Sequence, residues 1–231
     1  MATIDAELDV SRENTELDAL TRHLQNTDGP AVILANLKSY NTPDIPIINN
    51  LFGSRKRVAL VLGETTSRAA GWKNITARNE PWPGPVVLDH RDVPWKQIVI
   101  KGGDIDLRRA FPKVWFQGKR QVYVTTGLSF AHDPENRADN MGWYRYGLLG
   151  LDPEGNPYPE KLQARHMTAY AWWNTPITDI GLHFYKAVQR NEPLKVAIAF
   201  QNDPALSIAA GTTIPTGRYE AAGLEAPASC E

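Results

Sequence analysis

The sequence predicts an α+β chain, and three observations carry that expectation. Stretches with helical period and stretches of β-branched, strand-like composition interleave along the 231 residues, with no repeat of fixed length. Proline crowds one stretch, at Pro81, Pro83, Pro85 and Pro94, which marks a connection and not the interior of an element. Apolar residues at 42% and charged residues at 22% are the balance of an ordinary globular chain. The proline-rich stretch divides the chain into a small α/β segment, 1–80, and a larger strand-bearing domain, 81–231.

The elements follow in order. Ile4, Ala6, Leu8 and Val10 alternate as a short strand does. Leu17, Leu20 and Leu24 recur at helical spacing over 15–25, with Asn14 or Thr15 as N-cap. The apolar run 31–37 after Gly29-Pro30 predicts a buried strand, and Ile47-Ile48 a second one after Pro43 and Pro46. Ser54 caps a predicted helix that reaches Leu62 and stops at Gly63. Past the proline arm, 97–101 is strand-like, 102–107 reads as a turn, and 122–130 is a strong strand. The polar loop 133–139 then leads into a strand-like 141–151, a hairpin pattern. A helix over 180–189, a strand over 194–200 and a short helix over 205–210 complete the pattern. The tail from Thr216 has no clear core face.

Charge and cysteine content exclude several classes of function. With 25 basic and 26 acidic side chains the net charge is −1, which argues against holding nucleic acid by phosphate neutralisation. The densest basic cluster, Arg55-Lys56-Arg57, reads as the first turn of a surface helix. Cys230 is the single cysteine, so no disulfide forms within the chain, as suits a reducing, cytoplasmic setting. No run approaches the ~20 apolar residues of a membrane span, and the acidic first residues lack the pattern of a secretory signal.

Few residues carry chemistry on their own. His23, His90, His132, His166 and His183 are scattered, and a zinc site needs several to converge. Trp172-Trp173 suits a core, an interface or the cover of a flat ligand. The segment Asn140-Met141-Gly142-Trp143-Tyr144-Arg145 is more pointed. Asn offers a carbonyl oxygen to a hard cation, and Arg a planar fork to a carboxylate or phosphate. A hairpin followed by an amphipathic strand with one exposed Arg accounts for the same residues.

Several segments, in one order, resemble the UbiD-like reversible decarboxylases, which use prenylated flavin mononucleotide. Asn50-Leu51-Phe52-Gly53-Ser54 with Arg57-Val58-Ala59 is similar to the family's "NLFGSRERVALALG" helix entry, and Gly103-Asp104-Ile105-Asp106-Leu107 to its "GDDVDL" turn. Tyr123-Val124-Thr125-Thr126-Gly127, with Asp133-Pro134-Glu135, is similar to its "yiTaGlvvtrDPetG" strand. Asn140 to Arg145 matches "N-x-G-x-Y-R", the most specific of the set. Gly181-Leu182-His183, Pro193 to Ala197 and Asp203-Pro204-Ala205 follow in family order.

The resemblance is to the N-terminal, cofactor-binding portion of longer chains. It implies a flavin-binding split β-barrel with peripheral helices over 81–231, and decarboxylation of an aromatic or α,β-unsaturated acid. It further implies that Asn140 binds a divalent metal, Mn²⁺ or Mg²⁺, beside the flavin phosphate, and that Arg145 contacts the cofactor and the substrate carboxylate. Trp143, Tyr144 and Thr126 fall at cofactor-lining positions. Asp179 stands where many members carry a metal-ligand His, and a carboxylate oxygen suits the same ions. Arg218 takes the place of the family's third ligand, a Glu, so Glu220 is the remaining carboxylate for that role. The acidic segment that shuttles the proton has no counterpart here, which implies a homo-oligomer or a partner chain that supplies it. The alternative is a non-catalytic truncated paralogue or partner subunit that binds flavin mononucleotide without turnover.

Overall fold

The computed structural model describes residues 1–11, 14, 16–42, 44–77, 86, 88–93, 96–114, 122–170 and 179–212. Its elements run β1 (Ala2–Ile4), β2 (Leu8–Asp9), α1 (Glu16–Asn26), β3 (Val32–Leu34), β4 (Leu37–Lys38), β5 (Ile47–Asn49), α2 (Arg55–Val61) and α3 (Ser67–Ala77). Then come α4 (Leu107–Ala110), β6 (Val122–Val124), β7 (Leu128–His132), β8 (Asp139–Trp143), β9 (Arg145–Leu148), α5 (Glu160–Gln163), β10 (Met167–Tyr170), α6 (Asp179–Gln189), β11 (Val196–Ala199) and α7 (Pro204–Ala209). The mixed α+β expectation holds. The chain divides into two units, 1–57 with 89–124 and 146–168, and 58–88 with 125–145 and 169–231. No helix among the described residues is long and apolar enough to cross a membrane.

In the first unit β1 pairs parallel to β3, and β3 antiparallel to β5, while β2 pairs parallel to β4. α1 forms where the leucine spacing predicts it, and the Asn14 side chain caps it by accepting the Glu16 N–H at 2.7 Å. Its buried Leu17 and Leu24 pack with Val10, Val32 and Leu34. Each such side chain contributes about 1.5–3 kcal/mol of burial energy.

The Asn-Leu-Phe-Gly-Ser segment is a staple in this unit. Asn50 sits in the left-handed region at φ 59°, and its Nδ2 donates to the carbonyls of Gly29 and Pro30 at 3.0 and 3.1 Å. Arg57 donates to the carbonyls of Gly29, Asn50 and Leu51 at 3.0, 2.9 and 3.1 Å. A Cβ on Gly53 would stand 1.7 Å from Asn50 Oδ1, so only glycine fits there. Arg57 is therefore a clamp, not the ordinary surface cation expected of a helix's first turn.

Also in the first unit, the Asp106 carboxylate caps α4 by accepting the Arg108 N–H. The Arg108 guanidinium lies 2.8 Å from Asp106 and 3.2 Å from Glu160, and the pairing holds the Asp106 carboxyl down at about 2. A sheet of order β10-β9-β6 completes this unit.

The second unit is built on a sheet of order β11-β7-β8, with β7 and β8 joined as the predicted hairpin. α6 packs on both β7 and β8. A smaller cluster of Ala59, Leu62 and Ala70 packs with Ile208 of α7.

Several expectations change. The strand predicted over 122–130 is two strands, because the chain leaves β9 as partner at Val124 and takes β8 from Leu128. The strand predicted over 141–151 likewise breaks at Tyr144, and the run 31–37 breaks after Leu34. No strand forms at 97–101, where Ile98, Val99 and Ile100 are exposed. α3, α5 and β10 were not foreseen. The described strands form three three-stranded sheets and one two-stranded pair, and do not close the split barrel that the resemblance implies.

Candidate functional site

The site residues of the second unit gather on the β7–β8 hairpin. Asn140, on β8, pairs with Ala131 of β7, and side chains alternate across the sheet from there. Ser129, Ala131 and Asp133 thus share a face with Asn140 and Gly142, and all five are buried. Asp133 binds Lys186 of α6 on this face, so α6 is its cover.

Asn140 is only 4% exposed, and its Oδ1 has no hydrogen-bond partner among the described residues. A buried carbonyl oxygen left unpaired costs about 1–3 kcal/mol, and a bound ion or water is the usual reason for one. The donor type suits a hard cation such as Mn²⁺ or Mg²⁺. Beside it, a Cβ added to Gly142 would come within 2.9 Å of the Tyr144 ring. Gly142 is therefore the seat of that ring, which explains why a glycine stands between Asn140 and Tyr144.

The other expected residues take separate places. The Trp143 indole N–H donates to the Ser207 carbonyl of α7, and Trp143 has the opposite parity to Asn140 on β8. Leu128 pairs with Trp143, and the Tyr144 N–H reaches the Gly127 carbonyl at 3.5 Å. Thr126 and Arg145 lie just past that contact, one residue before Gly127 and one after Tyr144. Both are exposed, and Arg145 has no ion pair with another described residue. A hydroxyl and a guanidinium thus flank the open end of the hairpin, two residue types suited to an anion.

Asp179 opens α6, the helix that packs on the strand of Asn140. Glu220, Arg218 and Trp172-Trp173 lie outside the described residues. Among the described residues no three His, Cys, Asp or Glu side chains group as a metal centre. Of the expected ligands, Asn140 alone has its donor atom described, and it fits.

The sequence reading missed a charge cluster around the buried Asp133, on the same face as Asn140. Asp133 accepts the Glu135 and Asn136 amides at 2.8 and 3.4 Å, which folds the hairpin loop. Lys186 donates to Asp133 at 2.6 Å and lies 2.9 Å from Glu135, while His183 Nε2 stands 3.8 Å from Asp133. Burial pushes the Asp133 carboxyl up, but Lys186 and the two amides outweigh it and hold it below its ordinary 3.8. Asp133, then Glu135, raise the Lys186 ammonium above its ordinary 10.5. The sequence shows only that His183 and Lys186 are three apart, on one face of a helix, and not that Asp133 is their partner.

Comparison with known proteins matches both parts of the chain. Residues 1–75 match the 3-octaprenyl-4-hydroxybenzoate carboxy-lyase N-terminal domain, and residues 86–224 match the Rift-related domain of the same carboxy-lyase. Among solved structures, the UbiD-class enzyme HmfF from Pelotomaculum thermopropionicum, in complex with prFMN, is 21% identical with a TM-score of 0.74, over 97% of this chain and 46% of its own. Vanillic acid decarboxylase from Sedimentibacter hydroxybenzoicus is 21% identical with a TM-score of 0.78, over 99% of this chain and 45% of its own. The 3,4-dihydroxybenzoic acid decarboxylase from Enterobacter cloacae is 23% identical with a TM-score of 0.75, over 98% and 45%. This chain therefore spans less than half the length of the solved structures it matches. The two domain matches, with the same fold in these structures, place the chain in the UbiD family of 3-octaprenyl-4-hydroxybenzoate carboxy-lyases.

Proposed function

We propose that this chain is the cofactor-binding portion of a prenylated-flavin-dependent decarboxylase acting on an aromatic or α,β-unsaturated carboxylic acid. The observation that carries the reading is the buried Oδ1 of Asn140, unpaired among the described residues, on the hairpin that Thr126 and Arg145 flank. The family supplies the reaction class, and the neighbour whose structure is in complex with prFMN supports the cofactor.

Each residue has a role that its chemistry allows. Asn140 Oδ1 coordinates a divalent cation, which neutralises the flavin phosphate, with Asp179 and Glu220 as further oxygen donors. The backbone of Trp143 and Tyr144 lies along the ring system, and Thr126 hydrogen-bonds the cofactor. Arg145 holds the substrate carboxylate by a charge-assisted contact that strengthens where water is excluded. The bound prenylated flavin supplies the electron sink for loss of CO2. A homo-oligomer or a partner polypeptide completes the split barrel around the flavin and brings the carboxylates that move the proton. General acid–base assistance of that kind is worth ~100- to 10,000-fold.

Titration with flavin mononucleotide, followed by its fluorescence with and without Mn²⁺, tests the reading. Wild type binds more tightly with Mn²⁺. Asn140→Ala removes that gain and weakens binding at least about tenfold, a loss of ~1.4 kcal/mol, whereas Lys161→Ala, on the exposed face of α5, changes nothing. Equal binding by wild type and Asn140→Ala at every Mn²⁺ concentration rejects it.

A further inference from the structure

The two oxygens of Asp133 are bound to different parts of the second unit. Oδ1 accepts the Glu135 and Asn136 amides, so it belongs to the hairpin loop. Oδ2 accepts from the Lys186 ammonium of α6 at 2.6 Å, and His183 Nε2 of the same helix stands 3.8 Å from it. The carboxylate is only 4% exposed, so water screens this oxygen little, and Lys186 is the cation that holds it.

Asn140 stands diagonally across the hairpin. It pairs with Ala131, and Asp133 lies two residues beyond Ala131, with its N–H on the Ala138 carbonyl at 2.8 Å to continue the ladder. Diagonal neighbours on one face are about 7–8 Å apart at the backbone, near enough for two side chains to share one ion. Asn140 Oδ1 is buried and has no hydrogen-bond partner among the described residues. An amide oxygen and a carboxylate oxygen both suit Mn²⁺ or Mg²⁺. Asp133 Oδ2 is therefore a ready ligand for an ion at Asn140, and the Lys186 ammonium occupies it.

Charge decides what that occupation does. Asp179 and Glu220, the carboxylates proposed above as ligands, already balance the two positive charges of the ion. A third carboxylate would tighten the ion's hold on the protein and repel the phosphate that the ion is there to bind. We infer that Lys186 is a positioning residue for the flavin phosphate: its ammonium withholds Asp133 from the divalent cation at Asn140 and so reserves the cation for the phosphate. The inference rests on the proposal above that Asn140 holds such a cation.

The free Mn²⁺ signal in electron paramagnetic resonance, read on the full chain with and without flavin mononucleotide, tests it. Without flavin, Lys186→Gln should bind Mn²⁺ at least about tenfold more tightly than wild type, and flavin should no longer strengthen the binding. Lys186→Arg should behave as wild type. Asp133→Asn, which keeps the ammonium and removes its near carboxylate, should shift the other way and weaken Mn²⁺ binding. Combining Asp133→Asn with Lys186→Gln should restore the wild-type affinity. Loss of a merely structural tie would weaken binding in all three variants and would not be reversed by the second substitution. An Mn²⁺ affinity of Lys186→Gln equal to or below that of wild type overturns the inference, as does a gain that survives in the double variant. If Lys186→Gln does not fold, Asp133→Asn carries the test, and unchanged or tighter Mn²⁺ binding by it overturns the inference. Asn140→Ala is measured beside them. If it loses Mn²⁺ while Lys186→Gln gains none, the inference falls and the proposed function stands. If Asn140→Ala binds Mn²⁺ as wild type does, the proposed function falls and takes the inference with it.

Discussion

Gly142 shows how one residue controls a pocket. The Tyr144 ring sits where a Cβ would project from Gly142, so Gly142→Ala has to push the ring off the Asn140 face of the hairpin. We expect a stability loss of about 1–3 kcal/mol, the range for overpacking, together with weaker flavin binding. Thermal melts and flavin titration of the variant check both, and unchanged flavin affinity counts against a cofactor role for Tyr144. Arg57 is a second such residue. Replacing it by Met removes the donor of the Leu51 carbonyl and one of the two donors that reach each of the Gly29 and Asn50 carbonyls, at a cost of about 1.5–3 kcal/mol. A urea midpoint equal to that of wild type contradicts the clamp. The sequence revealed Gly142 and Arg57 as motif members but not what either does, because the Tyr144 ring and the Gly29 carbonyl meet them only in the folded chain.

Lys186 and Asp133 are 53 residues apart and tie α6 to the hairpin loop, on the face that carries Asn140. Lys186→Met leaves the Asp133 carboxylate without its cation and destabilises the fold near neutral pH. The sign of the pH dependence follows from the two shifts. The Asp133 contribution is present above 3.8 and is lost as pH falls through its depressed value. The Lys186 contribution is present below 10.5 and is lost as pH rises through its raised value. The gap between wild type and Lys186→Met is therefore widest between these limits and closes in acid, as denaturant melts across pH will register. A gap that stays constant into strong acid contradicts the pairing. Element by element, what was legible in the sequence is what depends on local period. Leu17, Leu20 and Leu24 marked α1, and the Asp133 loop marked a hairpin. The run 122–130 was misread as one strand because composition does not change where the partner strand does. The Asp133–Lys186 tie was illegible for the same reason, being a contact between elements.

At the scale of the molecule, the chain carries the UbiD family's fold over a length less than half that of the matched structures. We predict that the purified 231-residue chain, loaded with prenylated flavin, does not release CO2 from aromatic acids, and that it does so once the remaining UbiD-class sequence is supplied. Gas-release assays of both samples check this, and turnover by the chain alone contradicts it. The central claim concerns the cofactor, and electron paramagnetic resonance of Mn²⁺ tests it most directly. With wild-type chain, the signal of free aqueous Mn²⁺ should fall when flavin mononucleotide is added, because metal and phosphate bind together at Asn140. With Asn140→Ala it should stay. A wild-type sample whose free Mn²⁺ signal does not change on adding flavin would contradict the metal-bridged site.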